Sequence, residues 1–309
     1  VQNAALAQCL ELKDRVAILD VKDTGNCNTD ATKFRNSIGT KGASYGAAYY
    51  PYIKSVYDRE INVYDIYKGL KLSEEELENA QKYAELSEPT EESTLFAKQL
   101  MSKPEYAKLV AKIQEQANLL PPSGAIAGIY CANDNQRGVW HAPANMSVSG
   151  ISDINVRISD KQQGELNENT SGKCINAIRA FQGKGILVWG ARTLDGLSSE
   201  WKYISVRRFF NYVEESIQES TAWAVFQPND ANTWVKVRCQ IENFLSNLWR
   251  DGALAGSTPQ EAFYVRVGIN QTMTAQDILN GYMIVEIGMA AVRPAEFIVL
   301  QFSHKLQES

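Results

Sequence analysis

The segment CANDNQRGVWH brings Cys131, Asp134 and His141 close together in sequence. Those are the residue types of cysteine–histidine nucleophilic catalysis, which requires a hydrogen-bonded pair rather than proximity along the chain. Asp20, Asp23 and Asp30 follow an apolar run and could hold a magnesium ion beside a phosphate, although loop carboxylates are far more often simply solvated. GTKGASYG, from Gly39 to Gly46, is glycine-rich but matches neither the dinucleotide fingerprint nor the phosphate loop, and reads as turn glycines. The five cysteines, Cys9, Cys27, Cys131, Cys174 and Cys239, form no C-x-x-C pair and predict neither a disulfide framework nor a zinc site. They read as small thiols in a reducing compartment. His141 and His304 read as ordinary surface or satisfied histidines. No catalytic, cofactor-binding or metal-binding residue is assigned, and no cofactor is expected. The enzyme alternative is an α/β protein acting on a phosphorylated small molecule through Asp20, Asp23 and the Gly39 to Gly46 loop.

A different pattern lies between Ser205 and Glu219. Arg207 and Arg208 fall in the first turn of a helix, where positive charge opposes the helix dipole, and Glu214, Glu215 and Glu219 come later. Two turns separate the arginines from the first glutamates, so no i,i+4 bridge closes. Such charges either face solvent or are held for another chain. The net charge of −5 on 309 residues argues against a broad grip on nucleic acid. No apolar run approaches the roughly 20 residues that span a bilayer, and the first residues lack the basic start and apolar block of a signal peptide.

The elements that must position these residues read as α/β. VQNAALAQCLELKDR is an amphipathic helix with Ala5, Leu6, Cys9, Leu10 and Leu12 near one face. RVAILDV has the look of a buried parallel strand, DATKFRNSIG of a short helix capped at Asp30, and Ala43 to Ile53 of the next strand. Between Lys71 and Glu115 stand ten Glu and six Lys with no Asp or Arg, so this stretch carries most of the net charge and reads as an acidic helical insertion. Capping boxes are expected at Ser73 with Glu76 and at Ser102 with Glu105. A helix capped at Ser123 should pack closely through Gly124, Ala125, Ala127 and Gly128. Strands follow at Ile154 to Ser159, Cys174 to Phe181 and Gly185 to Arg192. Two long helices carry the stripes Val206, Phe209, Phe210, Val213, Ile217 and Trp234, Val237, Ile241, Phe244, Leu245, Leu248. FYVRVGI, YMIVEIGMAAV and the tail RPAEFIVLQF close the chain as strands. The fold class is α/β (mixed α+β), a Rossmann-like mixed sheet flanked by helices. Its expected parts are residues 1–61 and 122–293 as the two portions of the core, 62–121 as the insertion and 294–309 as a C-terminal arm strand.

PPSGAIAGIYCANDNQRGVWHAPAN, INAIRAFQGKGILVWGARTL, WKYISVRRFFNYVEESI, WAVFQPND, FLSNLWRDGALAG and RPAEFIV, in this order, resemble the tail sheath proteins of contractile bacteriophages and related contractile injection systems. The likeness is dense from about Pro121 onward and looser over the first fifty or so residues. One departure is Cys174, where relatives often have glycine before INAIR. The resemblance implies a structural subunit, not an enzyme, that polymerises as stacked six-fold rings around an inner tube protein. The sheath contracts to drive the tube through a target envelope. It implies strand donation between neighbours by extended terminal arms, including an N-terminal arm ahead of the core. Baseplate and cap or terminator proteins are the implied partners at the ends, with no nucleic acid and no membrane insertion. The implied location is a virion tail or injection-device particle assembled in the bacterial cytoplasm. Phe297, Ile298, Val299, Leu300 and Phe302 are the candidate inter-subunit strand; a hairpin with YMIVEIGMAAV, turned at Arg293-Pro294, is the in-chain alternative. Arg207, Arg208, Glu214, Glu215 and Glu219 are candidates for a helix facing the tube. Trp189, Arg192, Trp223 and Trp234 read as core or core-edge residues. A static, non-contracting scaffold subunit is the remaining alternative.

Overall fold

In a computed structural model, residues 1–57, 61–86, 88–168 and 170–297 are described. Helix α1 (Gln2–Leu12) leads into β1 (Ala17–Asp20), then α2 (Cys27–Ser37), β2 (Gly46–Tyr50) and β3 (Ile53–Ser55). Helix α2 starts earlier than the sequence suggests, because the Asn26 side chain accepts from the Thr29 amide and supplies the cap. Asp30, read as the cap, is instead buried within α2 and accepts from the Thr24 amide and hydroxyl and from the Tyr50 phenol.

The insertion contributes α3 (Val63–Ile66), α4 (Glu74–Ala84), α5 (Glu91–Met101), α6 (Pro104–Ala117) and the short β4 (Leu119–Leu120). Its helices gather around Val63, Tyr67, Leu70, Ala80, Phe96 and Leu100, a cluster of their own. The Ser73–Glu76 capping box forms as expected. Ser102 does not begin α6; Lys103 is the N-cap and Pro104 takes the first position, where its missing N–H costs nothing.

Helix α7 (Ser123–Arg137), β5 (Met146–Ser147), β6 (Ile151–Ile154), α8 (Asp160–Asn167), β7 (Ile175–Phe181) and β8 (Gly185–Trp189) complete the central layer. The main sheet has the order β1-β2-β7-β8-β5, parallel from β1 to β7 and antiparallel beyond it. Strand β2 is buried throughout and alternates cleanly. Ala48 and Tyr50 pack with Leu6, Phe34 and Ile175 on one face, while Ala47 and Tyr49 pack with Ile126, Tyr130 and Val188 on the other. Gly42, at φ +75°, lets α1 come down on the sheet: an added Cβ would stand 2.4 Å from the Leu6 carbonyl oxygen.

The end of β1 is tied to α7. Asp20 accepts from the Ser123 amide at 2.8 Å and from its hydroxyl at 2.6 Å, so a strand carboxylate satisfies the helix N-terminus in place of a capping residue. Gly124, Ala127 and Gly128 lie exposed rather than closely packed, because Ile126, Ile129 and Tyr130 form the buried face. Replacing Asp20 with alanine is expected to lower stability by about 1 kcal/mol, as for a lost N-cap. Thermal melts with and without magnesium should show the same loss; a magnesium-dependent stabilisation confined to the native chain would contradict the capping role.

Candidate subunit interface

The C-terminal part stands on α9 (Ile204–Ser220) and α10 (Ala231–Arg250), which bury Phe209, Val213, Val237, Ile241 and Leu245 between them. On this base lies a ribbon of two antiparallel strands, β9 (Phe263–Arg266) and β10 (Glu286–Met289). Val265 is buried, and Ile287 and Met289 are half-buried against the same cluster. The opposite face shows Tyr264, Arg266 and Glu286, with the Tyr264 hydroxyl donating to Glu286 Oε1 at 2.9 Å and the Arg266 guanidinium 4.7 Å from the ring centre. Gly288 pairs directly with Tyr264 and lies under its ring; a Cβ there would meet the ring at 2.2 Å. Both strands are shorter than their sequence patterns suggest. Beyond β10 the chain continues by pairing with Ala253 to Ala255, through Ala255 N–H to Ala290 O and Val292 N–H to Ala253 O. Among the described residues no third strand bonds to the outer edge of β9 or β10. Apart from the Ala253–Ala255 segment just past β10, the rim of this two-stranded ribbon carries no further strand among the described residues, and such a ribbon is an unfinished sheet.

Residues 293–297 leave this ribbon as irregular chain. Arg293 donates to the Ser199 carbonyl at 2.6 Å, and Glu296 forms an ion pair with Arg192. Phe297 is 65% exposed. Ile298, Val299, Leu300 and Phe302 lie outside the described residues.

The charges of α9 divide into two sets. Arg207 and Arg208, expected to point outward toward a partner, turn into their own subunit. The Arg207 guanidinium is sandwiched between Tyr45 and Trp201, 4.3 and 3.4 Å from their ring centres, and donates to the Tyr45 hydroxyl at 3.2 Å. Burial pushes its pKa down. Arg208 makes a two-pronged bond to Asp134 and lies 4.5 Å from the Tyr130 ring centre. Aromatic faces and one carboxylate thus offset the unfavourable helix dipole. Glu214, Glu215 and Glu219 are exposed on the outer face, two to three turns farther along.

The candidate chemistry is not assembled. Cys131 is exposed and Asp134 is taken by Arg208, and no hydrogen bond joins Cys131 to His141 among the described residues. Asp23 accepts from the Gly25 and Tyr52 amides, so with Asp20 and Asp30 all three carboxylates hold backbone or side chains in place. Among the described residues no cluster of His, Cys, Asp and Glu could hold a metal ion, and no helix is long and apolar enough to cross a membrane. Trp189 and Trp234 are half-buried and Arg192 is buried, as core-edge residues should be. Trp223 is more exposed, at 41%, and is held by its indole N–H to Gln240.

Residues 1–194 match the phage tail sheath protein central domain, and residues 198–305 match the phage tail sheath C-terminal domain. This chain belongs to the phage tail sheath family. It is 23% identical over 192 residues to the tail sheath protein of Vibrio phage KVP40, a match covering 62% of this chain and 27% of that protein. It is also similar to the sheath complex of an extracellular contractile injection system in the contracted state, with 34% identity and a TM-score of 0.70 over 94% of this chain and 64% of that one. A chain of the anti-feeding prophage baseplate is similar at 33% identity and a TM-score of 0.67, over 98% of this chain and 65% of that one. The chain therefore spans 27% of that curated relative and under two-thirds of these two solved chains. The ribbon and the two long helices fall within the matched C-terminal domain, and the five-stranded sheet within the central one.

Removing the guanidinium in Arg207→Ala is expected to cost about 2 kcal/mol in the isolated subunit, because a desolvated cation between two rings is lost. Glu214→Gln or Glu219→Gln should stay within about 0.5 kcal/mol, as exposed substitutions do. Urea midpoints provide the check, and an unchanged midpoint in Arg207→Ala would contradict the aromatic clamp.

Proposed function

We propose that this chain is the core of a contractile sheath subunit, which polymerises helically around an inner tube and contracts to drive that tube through a target envelope. The observation that carries the reading is the β9–β10 ribbon, braced from below by α9 and α10 and, among the described residues, flanked by no further strand along β9 or β10. An extended segment from a neighbour would satisfy the free amides and carbonyls of such an edge by strand addition. The apolar run Phe297 to Phe302 has the composition for that task. A head-to-tail contact of this kind does not close on itself and so builds a filament. Further support comes from relatives described as a helical sheath and a sheath complex in the contracted state.

The finer assignments follow from this reading. Self-association is six-fold and helical, with baseplate and cap or terminator proteins at the two ends of the stack. Glu214, Glu215 and Glu219 remain the residues offered to the inner tube protein, which would then carry basic groups facing them. Residues 62–121 form an outlying insertion, residues 1–61 and 122–293 the core, and 294–309 the arm. The working location is a virion tail or injection-device particle assembled in the bacterial cytoplasm. No nucleic acid, membrane insertion or enzymatic step enters the stroke; its energy comes from the difference in packing between two arrays of the same subunits.

Two measurements test the proposal. Electron microscopy of the full-length protein should show hollow helical tubes, and a persistent monodisperse monomer at high concentration would overturn it. Deleting residues 298–309 should abolish polymerisation while leaving the melting temperature of the core within about 2 °C, since the packed clusters of the sheet and of α9 and α10 are built from residues that precede the deletion. A shortened chain that polymerises as before would exclude the tail as the donated strand.

A further inference from the structure

The ribbon accounts for the chain up to Val292, the last residue of the segment held by a backbone hydrogen bond. It does not account for Glu296. This carboxylate meets Arg192 at three contacts, Nε to Oε1 at 2.8 Å, Nε to Oε2 at 3.0 Å and Nη2 to Oε2 at 2.8 Å. The Tyr203 hydroxyl adds a fourth at 3.1 Å. The Arg192 side chain is 3% exposed and that of Glu296 only 19%. The arginine is fixed from behind: its Nη1 donates to the Asn167 carbonyl, and the Asn176 side chain accepts from its amide and donates to its carbonyl. Arg192 and Tyr203 also face each other across a backbone bridge. The receptor for the carboxylate is therefore built from Arg192 of the central domain and Tyr203 at the start of α9, whereas the carboxylate arrives on residues 293–297, which form no strand or helix.

An exposed ion pair would contribute almost nothing to holding a chain end. This one is different, because withdrawing Glu296 leaves a desolvated guanidinium without its counter-charge. We infer that Arg192, Tyr203 and Glu296 form a positioning clamp that sets where the C-terminal segment departs from its own subunit, so that the donated strand begins at Phe297. The inference rests on the strand-donation reading above. With the clamp closed, the donated segment starts from a fixed point on the main sheet. With it open, the last hold is Arg293 on the Ser199 carbonyl, and three more extended residues add roughly 10 Å of reach. A looser tether lowers the effective concentration of the strand at its neighbour and relaxes its register. Load on the arm then falls on the two-stranded ribbon rather than on the five-stranded sheet.

The test uses the full chain with Cys131 and Cys239 replaced by serine and a nitroxide spin label on Phe297→Cys. In this background the label should show a restricted spectrum, and Glu296→Gln should convert most of it to a mobile one. Tyr203→Phe should lie between the two, and Glu296→Asp should retain part of the restriction. In unlabelled protein, Glu296→Gln should raise the concentration needed for pelletable polymer at least tenfold, whereas Asp20→Ala, which lowers core stability away from the clamp, should assemble at the parent concentration. If label mobility and assembly threshold both match the parent protein, the clamp is refuted. If Asp20→Ala raises the threshold as much as Glu296→Gln does, the pair is structural and the positioning role is refuted. The chain lacking residues 298–309 separates this from the underlying reading: normal assembly there overturns strand donation itself, whatever Glu296 does.

Discussion

Backbone amides and carbonyls on a sheet edge demand partners, and most of the architecture can be read as two opposite responses to that demand. For the inner strands of the main sheet the demand is met within the sheet. Strand β2 is flanked by β1 and β7, buried on both faces and sealed by α1 and α2 on one side and α7 on the other. In the C-terminal domain it is met only in part: two short strands lie on a stiff pair of helices, and among the described residues no further strand flanks β9 or β10. A ribbon of this size has little stability of its own, so the long apolar stripe of α10 is what keeps it in shape. Rigidity beneath and incompleteness at the rim suit a surface meant to be finished by another chain.

Periodicity made much of this legible. The stripes of α9 and α10, the apolar runs of β1, β7 and β8, and the acidic composition of the insertion each report a local pattern that tertiary structure preserves. What could not be read was where polar groups go. Arg207 and Arg208 have the spacing of a solvent-facing charged helix; only the fold brings Tyr45 and Asp134 to them from distant parts of the chain and lays the nearby Trp201 on Arg207. Asp20 likewise looks like a loop carboxylate until Ser123, more than a hundred residues away, arrives beside it. The pairing of Arg192 with Glu296 spans a similar distance and carries no local signal. Family resemblance pointed to RPAEF as a motif without indicating which of its residues bears on what.

The insertion follows a separate logic. Its helices share a compact apolar cluster and connect to the rest through the small sheet of β3, β4 and β6. Its charge is that of a solvated surface, and its core does not merge with that of the main sheet. Such a unit can vary in sequence without disturbing the main sheet or the ribbon.

The place of β7 bears on how the protein comes into being. This strand joins β2 on one side and β8 on the other, yet more than a hundred residues, including the entire insertion, separate it from β2 in the chain. During synthesis β1 and β2 emerge early and must wait, with the partner edge of β2 uncovered, until β7 has left the ribosome. The helices of the insertion, whose contacts are local, can form in that interval. The nascent chain thus holds an apolar parallel pair open over a long stretch of translation, and the pace of elongation through residues 62–174 becomes part of the folding pathway.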